Sequence, residues 1–239
     1  MSRVVVLGAG AMGSALTIPL SDRGHEVRLW FTEYDLGIWE EVTKGNVHPR
    51  IKVHLPSSVR LYRPEQLKEA VEGVDYAIVA VSSQGVLPLS ERLREVMDPS
   101  VPAIIVAKGI EVVNDRVMTM AEIVEERGGI DTTVYVSGPS LAAELASRQP
   151  TYVVYSSKRV DVLQRIKSEF ETDYYRISTS DDVLGAELAA ALKNVYAIAY
   201  GVAEGMGEKS GLRYTNLKAA VIARALSEMA DIVERCGGK

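Results

Sequence analysis

The sequence holds one cysteine, Cys236, so no intrachain disulfide can form and a reducing, cytoplasmic setting is expected. Its three histidines, His25, His48 and His54, show no metal-ligand spacing with each other or with that cysteine, so no metal is expected. A G-x-S-x-G elbow of the kind a serine hydrolase needs is missing. Runs of about 18 apolar residues are missing too, so no membrane span is expected, and Met1 leads straight into a strand-like segment rather than a secretory leader. The charge is −5, from 27 basic and 32 acidic side chains, which argues against a nucleic-acid-binding surface. Asn, Gln and Cys are scarce, and Arg outnumbers Lys, a compositional hint of a hot-living source. What remains is 239 residues at 47% hydrophobic content, the profile of a globular protein. A chain of this length buries roughly 70–75% of its unfolded surface. It has room for one large domain, or one and part of a second.

Short apolar runs alternate with helix-length patterns over the first three quarters. Arg3–Leu7, His25–Phe31, Tyr76–Val81 and Ala103–Ala107 read as strands buried on both faces, with Thr132–Val136 and Thr151–Tyr155 extending the sheet. Ala11–Arg23, Pro64–Glu72, Val86–Met97 and Arg116–Arg127 read as helices between them, the first disturbed by Pro19. This rhythm predicts an α/β fold, a Rossmann-like doubly wound and mainly parallel sheet with helices on both faces. Near Ser180 the pattern changes. Leu184, Leu188, Leu192, Val195 and Ala199 recur at helical spacing over 181–204, behind the capping pair Asp181-Asp182. After a glycine-bearing turn at Gly205–Gly211, a second helix spans about Tyr214–Arg235. The expected division is therefore a dinucleotide-binding unit over 1–180 and the start of an all-α substrate or dimerisation unit over 181–239.

Gly8-Ala9-Gly10-Ala11-Met12-Gly13 is G-x-G-x-x-G, placed between a buried strand and a helix. Gly8 allows the turn, Gly10 lets the backbone approach a pyrophosphate, and Gly13 lets the helix pack on its strand. The amides of the helix start, at Ala11 and Met12, face the anion. After the second strand come Thr32 and Glu33. Glu33 would accept from a ribose 2′-hydroxyl and favour NAD; Thr32, with Arg50 as counter-charge, would bind a 2′-phosphate and favour NADP. These residues leave the choice open. Ser82 and Ser83 follow the strand Tyr76–Val81 at its carboxyl end, where they sit beside a cofactor or cap the next helix.

Two lysines are candidates for chemistry. Lys108 ends the strand A-I-I-V-A at the ligand edge of the sheet, and Lys193 lies within the apolar helix A-A-A-L-K-N-V. A lysine in that setting faces a polar cavity or snorkels outward.

The blocks V-V-V-L-G-A-G-A-M-G-S-A-L, A-K-G-I-E at 107–111, S-G-P-S-L-A-A-E at 137–144, L-K-N-V-Y-A-I-A at 192–199 and N-L-K-A-A-V-I-A-R-A-L-S-E-M at 216–229 occur in order along nearly the whole chain. Together they resemble the NAD(P)-dependent glycerol-3-phosphate dehydrogenases, in their archaeal-like branch. The resemblance implies reduction of dihydroxyacetone phosphate to sn-glycerol 3-phosphate, in the cytoplasm, for phospholipid synthesis. It implies that Lys193 is the general acid/base, that Lys108 stabilises the developing alkoxide and that Asn194 positions substrate. Ser140 and Glu144, in a block that starts at Ser137, would line the cofactor site; Asn216 and Arg224 match further family positions, and a homodimer is expected. The family continues beyond the point where this chain stops, so a truncated helical domain is expected. The alternatives are a related ketopantoate or 3-hydroxyacid reductase, and an NAD(P)-binding module without catalysis.

Overall fold

The computed structural model describes all 239 residues. The chain runs β1 (Arg3–Leu7), α1 (Ala11–Asp22), β2 (Glu26–Trp30), α2 (Leu36–Thr43), β3 (Arg60–Tyr62), α3 (Leu67–Val71), β4 (Tyr76–Val79), α4 (Ser83–Val96) and β5 (Ala103–Ile105). There follow β6 (Ile110–Val113), β7 (Arg116–Thr119), α5 (Met120–Gly128), β8 (Thr133–Ser137), α6 (Ala142–Ala146), β9 (Thr151–Ser156), α7 (Val160–Phe170) and β10 (Tyr175–Ser180). Two long helices close the chain, α8 (Val183–Ser210) and α9 (Thr215–Arg235).

Eight strands form one sheet in the order β10-β9-β8-β5-β4-β1-β2-β3. Every neighbouring pair is parallel except β8 with β9. The run β3-β2-β1-β4-β5-β8 is the doubly wound arrangement, in which strand order reverses between β1 and β4 and opens a crevice at their carboxyl ends. The apolar runs of the sequence alternate between two layers. Val4 and Val6 of β1, with Tyr76 and Ile78 of β4, face one layer, while Val5, Leu7, Ala77 and Val79 face the other. That two-sided burial is why these strands read as unbroken hydrophobic runs.

The segment Arg116–Arg127, expected as one helix, is a strand followed by a helix. β6 and β7 form an antiparallel hairpin whose turn residues, Asn114 and Asp115, have φ of 51° and 59°. Two consecutive left-handed residues make the turn that suits the strand twist, and Asn and Asp tolerate it best after glycine. The helix starts only at Met120, behind Thr119, whose side chain accepts from Glu122 N–H while Glu122 accepts from Thr119 N–H. The turn expected at Gly205–Gly211 is also displaced. α8 continues through Gly205 and Gly207 to Ser210, and the chain reverses at Gly211. A Cβ on Gly207 would lie 2.7 Å from the Leu212 carbonyl, so the glycine serves close approach of the connection between α8 and α9. The structure also contains α2, β3, α6, α7 and β10, which lie outside the segments read from the sequence.

α8 follows β10 after two residues and lays its first turns on the sheet layer, where Ala190 is buried and Val183 and Ala186 pack. α9 returns along α8, tied by Tyr196 hydroxyl to Glu228 at 3.2 Å and by Lys218 to Glu204 at 2.7 Å.

Candidate active site

The glycine turn lies at the reversal point of the sheet. Gly8 has φ of +113°, and a Cβ there would meet the Ala80 carbonyl carbon and oxygen at 2.9 Å, so only glycine fits between β1 and β4. A Cβ on Gly13 would overlap the Gly8 carbonyl and press on Ala80. Gly10 is the N-cap of α1, with no side-chain capping bond and no acidic residue in the first turn. The amides of Ala11, Met12 and Gly13 therefore lack both an intrahelical partner and a competing carboxylate, an arrangement suited to a pyrophosphate.

Two buried side chains hold this turn in place, and neither was singled out from the sequence. Asp35 Oδ2 accepts from Ala9 N–H at 3.2 Å, Thr32 N–H at 3.1 Å and the Thr32 hydroxyl at 2.7 Å. His48 Nδ1 accepts from Arg50 N–H at 3.2 Å, so the ring is neutral and its Nε2–H donates to the Ala9 carbonyl at 3.1 Å. Burial, the largest influence, lowers the His48 pKa from 6.5 and favours that neutral form. Asp35 and His48 thus grip both polar groups of Ala9 from two separate loops.

A cleft of about 600 Å³ opens in front of the turn. Of the expected residues it is lined by Gly8, Gly10, Thr32, Glu33, Arg50 and Ser82. Trp30, Tyr34, Asp35, Gln84 and Arg92 line it as well. Arg92, from α4, meets Glu33 at 3.1 Å and stacks over Trp30, 5.1 Å from the ring centroid. A Cβ on Gly10 would lie 3.7 Å from Arg50, which places that guanidinium at the turn. Ala11 and Met12 form the first turn of α1, half-buried, and Ser140 reaches it by a hydroxyl contact to the Met12 sulfur at 3.9 Å. Ser83 opens α4 and packs under the next loop, since a Cβ on Gly109 would lie 3.2 Å from Ser83 Cβ. Glu144 is exposed on α6.

Lys108 follows β5 at the same edge of the sheet and is half-buried. Its pKa is lowered first by burial and then by the positive charge of Lys193. Lys193, 85 positions further along the chain, is thus near enough for its charge to be felt at Lys108. Lys193 and Asn194 are exposed on α8, so Lys193 projects outward from its apolar helix. Asn216 and Arg224 are exposed on α9, where Arg224 pairs with Glu228 at 2.6 Å.

The chain matches the family descriptions "NAD-dependent glycerol-3-phosphate dehydrogenase N-terminus" over residues 3–163 and "NAD-dependent glycerol-3-phosphate dehydrogenase C-terminus" over residues 182–239. It is 38% identical over 237 residues to an NADP(+)-dependent glycerol-3-phosphate dehydrogenase of Archaeoglobus fulgidus, covering 98% of this chain and 70% of that one. The chain belongs to the glycerol-3-phosphate dehydrogenase family. A glycerol-3-phosphate dehydrogenase [NAD(P)+] of Oceanobacillus iheyensis is 37% identical over 97% of this chain and 65% of its own length. The crystal structure of glycerol-3-phosphate dehydrogenase from Coxiella burnetii superimposes with a TM-score of 0.84 at 30% identity, covering all of this chain and 70% of that one. The chain thus spans roughly two thirds of the length of these dehydrogenases. The family is NAD(P)-dependent, and the glycine turn of this chain, with its free first-turn amides beside the cleft, has the geometry a pyrophosphate requires. No helix is long and apolar enough to cross a membrane, and no group of three or more His, Cys, Asp or Glu side chains gathers where a metal could bind.

Proposed function

We propose that the chain reduces dihydroxyacetone phosphate to sn-glycerol 3-phosphate at the edge of the sheet where Lys108 and Lys193 meet, beside the cleft of the glycine turn. The observation that carries this reading is a half-buried Lys108 just after β5, at the ligand edge of the sheet, that feels the charge of Lys193 on α8. A nicotinamide cofactor, held with its pyrophosphate on the amides of Ala11, Met12 and Gly13, would supply the hydride for the carbonyl carbon of the substrate. Lys193 gives the carbonyl oxygen its proton and, being exposed, recovers one from water. Lys108 offers a positive charge to the oxygen as negative charge develops there. Asn194, adjacent on α8, holds the substrate hydroxyl groups. Residues 1–180 form the dinucleotide-binding unit and 181–239 begin the substrate and dimerisation unit. The exposed Val195, Ile198, Val202, Ile222 and Leu226 of α8 and α9 support pairing as a homodimer. The free thiol of Cys236 suits a reducing cytoplasm.

The same geometry favours NADPH. Asp35 is committed to three donors and Glu33 to Arg92, so neither carboxylate at the end of β2 is free for a ribose 2′-hydroxyl. Arg50 lines the cleft without a carboxylate partner and suits a 2′-phosphate, with Arg92 beside it on Glu33. One assay tests both statements: oxidation of NADPH and of NADH with dihydroxyacetone phosphate, for the chain and for its Lys193→Ala and Arg50→Ala variants. The Lys193 change is expected to lower kcat by about 10²–10⁴-fold. The Arg50 change is expected to weaken NADPH while leaving NADH nearly untouched. Unchanged turnover without Lys193 overturns the catalytic assignment, and cofactor binding without any turnover points to a binding module.

A further inference from the structure

Glu187 is a buried acid for which the reaction above has no use. It lies six positions before Lys193 on α8, is 1% exposed, and is the one ionisable side chain of that helix to be buried. Its Oε1 accepts from the backbone N–H of Ala121 at 2.8 Å. Ala121 is the second residue of α5, so this amide is among the first-turn donors that a helix cannot satisfy internally. The other contacts of this part of α8 with the sheet layer are apolar and small: Val183, Ala186 and Ala190. Such residues resist separation but specify little about axial register, because neighbouring small side chains can exchange places at low cost. A directional bond to a backbone amide does specify it. Six residues of rigid helix carry that register roughly 9 Å to Lys193.

We propose that Glu187 is a positioning residue: anchored on the Ala121 amide, it holds α8 in the axial register that places Lys193 beside Lys108. The proposal rests on the reading of the two lysines as the reacting pair. Around Glu187 stand Glu122 and Glu125 of α5, with Glu125 accepting from the Thr133 hydroxyl of β8. Arg116 of β7 is engaged by Glu122 and Glu126, at 3.1 and 2.8 Å. Tyr135 of β8 has a buried hydroxyl without a partner and feels the charge of Glu187. Lys158 and Arg159, after β9, line the shallow cleft outside it, and Arg159 is paired with Asp161 at 2.8 Å. No cation contacts Glu187 directly among its bonded partners, so its anchor is the amide. Burial, opposed by the bonds from Ala121 and Thr119 and reinforced by Glu122 and Glu125, pushes the carboxyl up to about 7. A neutral or an ionised carboxyl accepts from the amide equally well in geometry, so glutamine preserves the anchor.

The test uses the whole chain and three variants: Glu187→Gln, which keeps an acceptor; Glu187→Met, which keeps the volume and removes it; and Lys193→Ala. Placement of the lysines is read without turnover, from the pH midpoint of Lys108 acetylation by an amine-reactive reagent, followed by mass spectrometry. Removing the Lys193 charge raises that midpoint. The Met variant is expected to raise it likewise, to lose on the order of 10²-fold in kcat, and to bind NADPH as before. The Gln variant is expected to match the unmodified chain in all three. A folded Met variant with the original Lys108 midpoint overturns the proposal, as does a Gln variant that fails together with Met. If the Met variant does not fold, Glu187→Ala, which admits water to the amide, carries the same measurement. Retained turnover in Lys193→Ala would overturn the assignment of the lysine pair, while the acetylation midpoint still decides what Glu187 holds in place.

Discussion

Replacing Glu187 by glutamine should make the protein more resistant to unfolding, and increasingly so as the pH rises. In the unfolded chain this carboxyl titrates near 4.5; in the fold, burial moves it up to about 7. Below pH 4.5 both states carry the proton and the folded state bears no penalty. Between 4.5 and 7 the unfolded chain releases its proton while the folded one keeps it, so the stability contributed by the neutral group is lost progressively as pH rises through about 7. A shift of this size corresponds to about 3 kcal/mol. Glutamine cannot ionise and escapes that penalty, while its carbonyl oxygen still accepts from Ala121. Any pH-independent cost of fitting the amide beside Glu122 and Glu125 drops out of the comparison between pH values. Urea unfolding of both proteins at pH 5, 6, 7 and 8 measures the difference. The gap should widen in favour of glutamine by about 2.5 kcal/mol between pH 5 and pH 8, the remainder lying below pH 5, corresponding to roughly 5–10 °C in Tm for a chain of this size. A gap that stays constant with pH would refute the reasoning, since it would mean that Glu187 ionises in the fold as freely as in the unfolded chain.

Two further outcomes follow from the glycine turn. Gly13→Ala should abolish NADPH binding, measured by cofactor fluorescence, because the new Cβ overlaps the Gly8 carbonyl and pries α1 from β1. His48→Ala should destabilise the fold by about 0.5–1.5 kcal/mol in thermal unfolding, because the Ala9 carbonyl loses one of its two side-chain donors and keeps only the Ser14 hydroxyl. The unmodified protein should also lose stability as pH falls below 6.5, since the unfolded chain then protonates His48 while the fold holds it neutral; the His48 variant should lack that part of the pH dependence.

How much was legible from residue order alone varied by element. Buried parallel strands announce themselves as apolar runs: β1 matches its predicted segment, and β2, β4 and β5 lie within theirs, each somewhat shorter. The hairpin of β6 and β7 was hidden because its turn depends on left-handed Asn114 and Asp115 instead of glycine, and because Met118 and Met120 suit a helix as well as a strand. β3 and β10 are edge strands with exposed or half-exposed positions, so they lack the apolar signal of the central strands. Around the cleft, glycines and hydroxyls beside strand ends were visible because backbone geometry demands those residue types there. Asp35, His48 and Arg92 were not, because each is an ordinary polar residue whose partner, Ala9 or Glu33, lies elsewhere in the chain.

The sequence by itself determined the class of this protein: an alternation of buried strands and helices, a glycine turn of the kind nucleotide sites use, and blocks in the order of one dehydrogenase family. These are local properties, set by period and by the steric demands of single positions. The tertiary structure decided which side chains act together. The charge of Lys193 reaches Lys108 because α8 folds back on the sheet. Arg92 reaches Glu33 because α4 lies beside the end of β2, and Glu187 finds Ala121 because α8 crosses the start of α5. Such pairings depend on long-range packing, and no spacing along the chain encodes them.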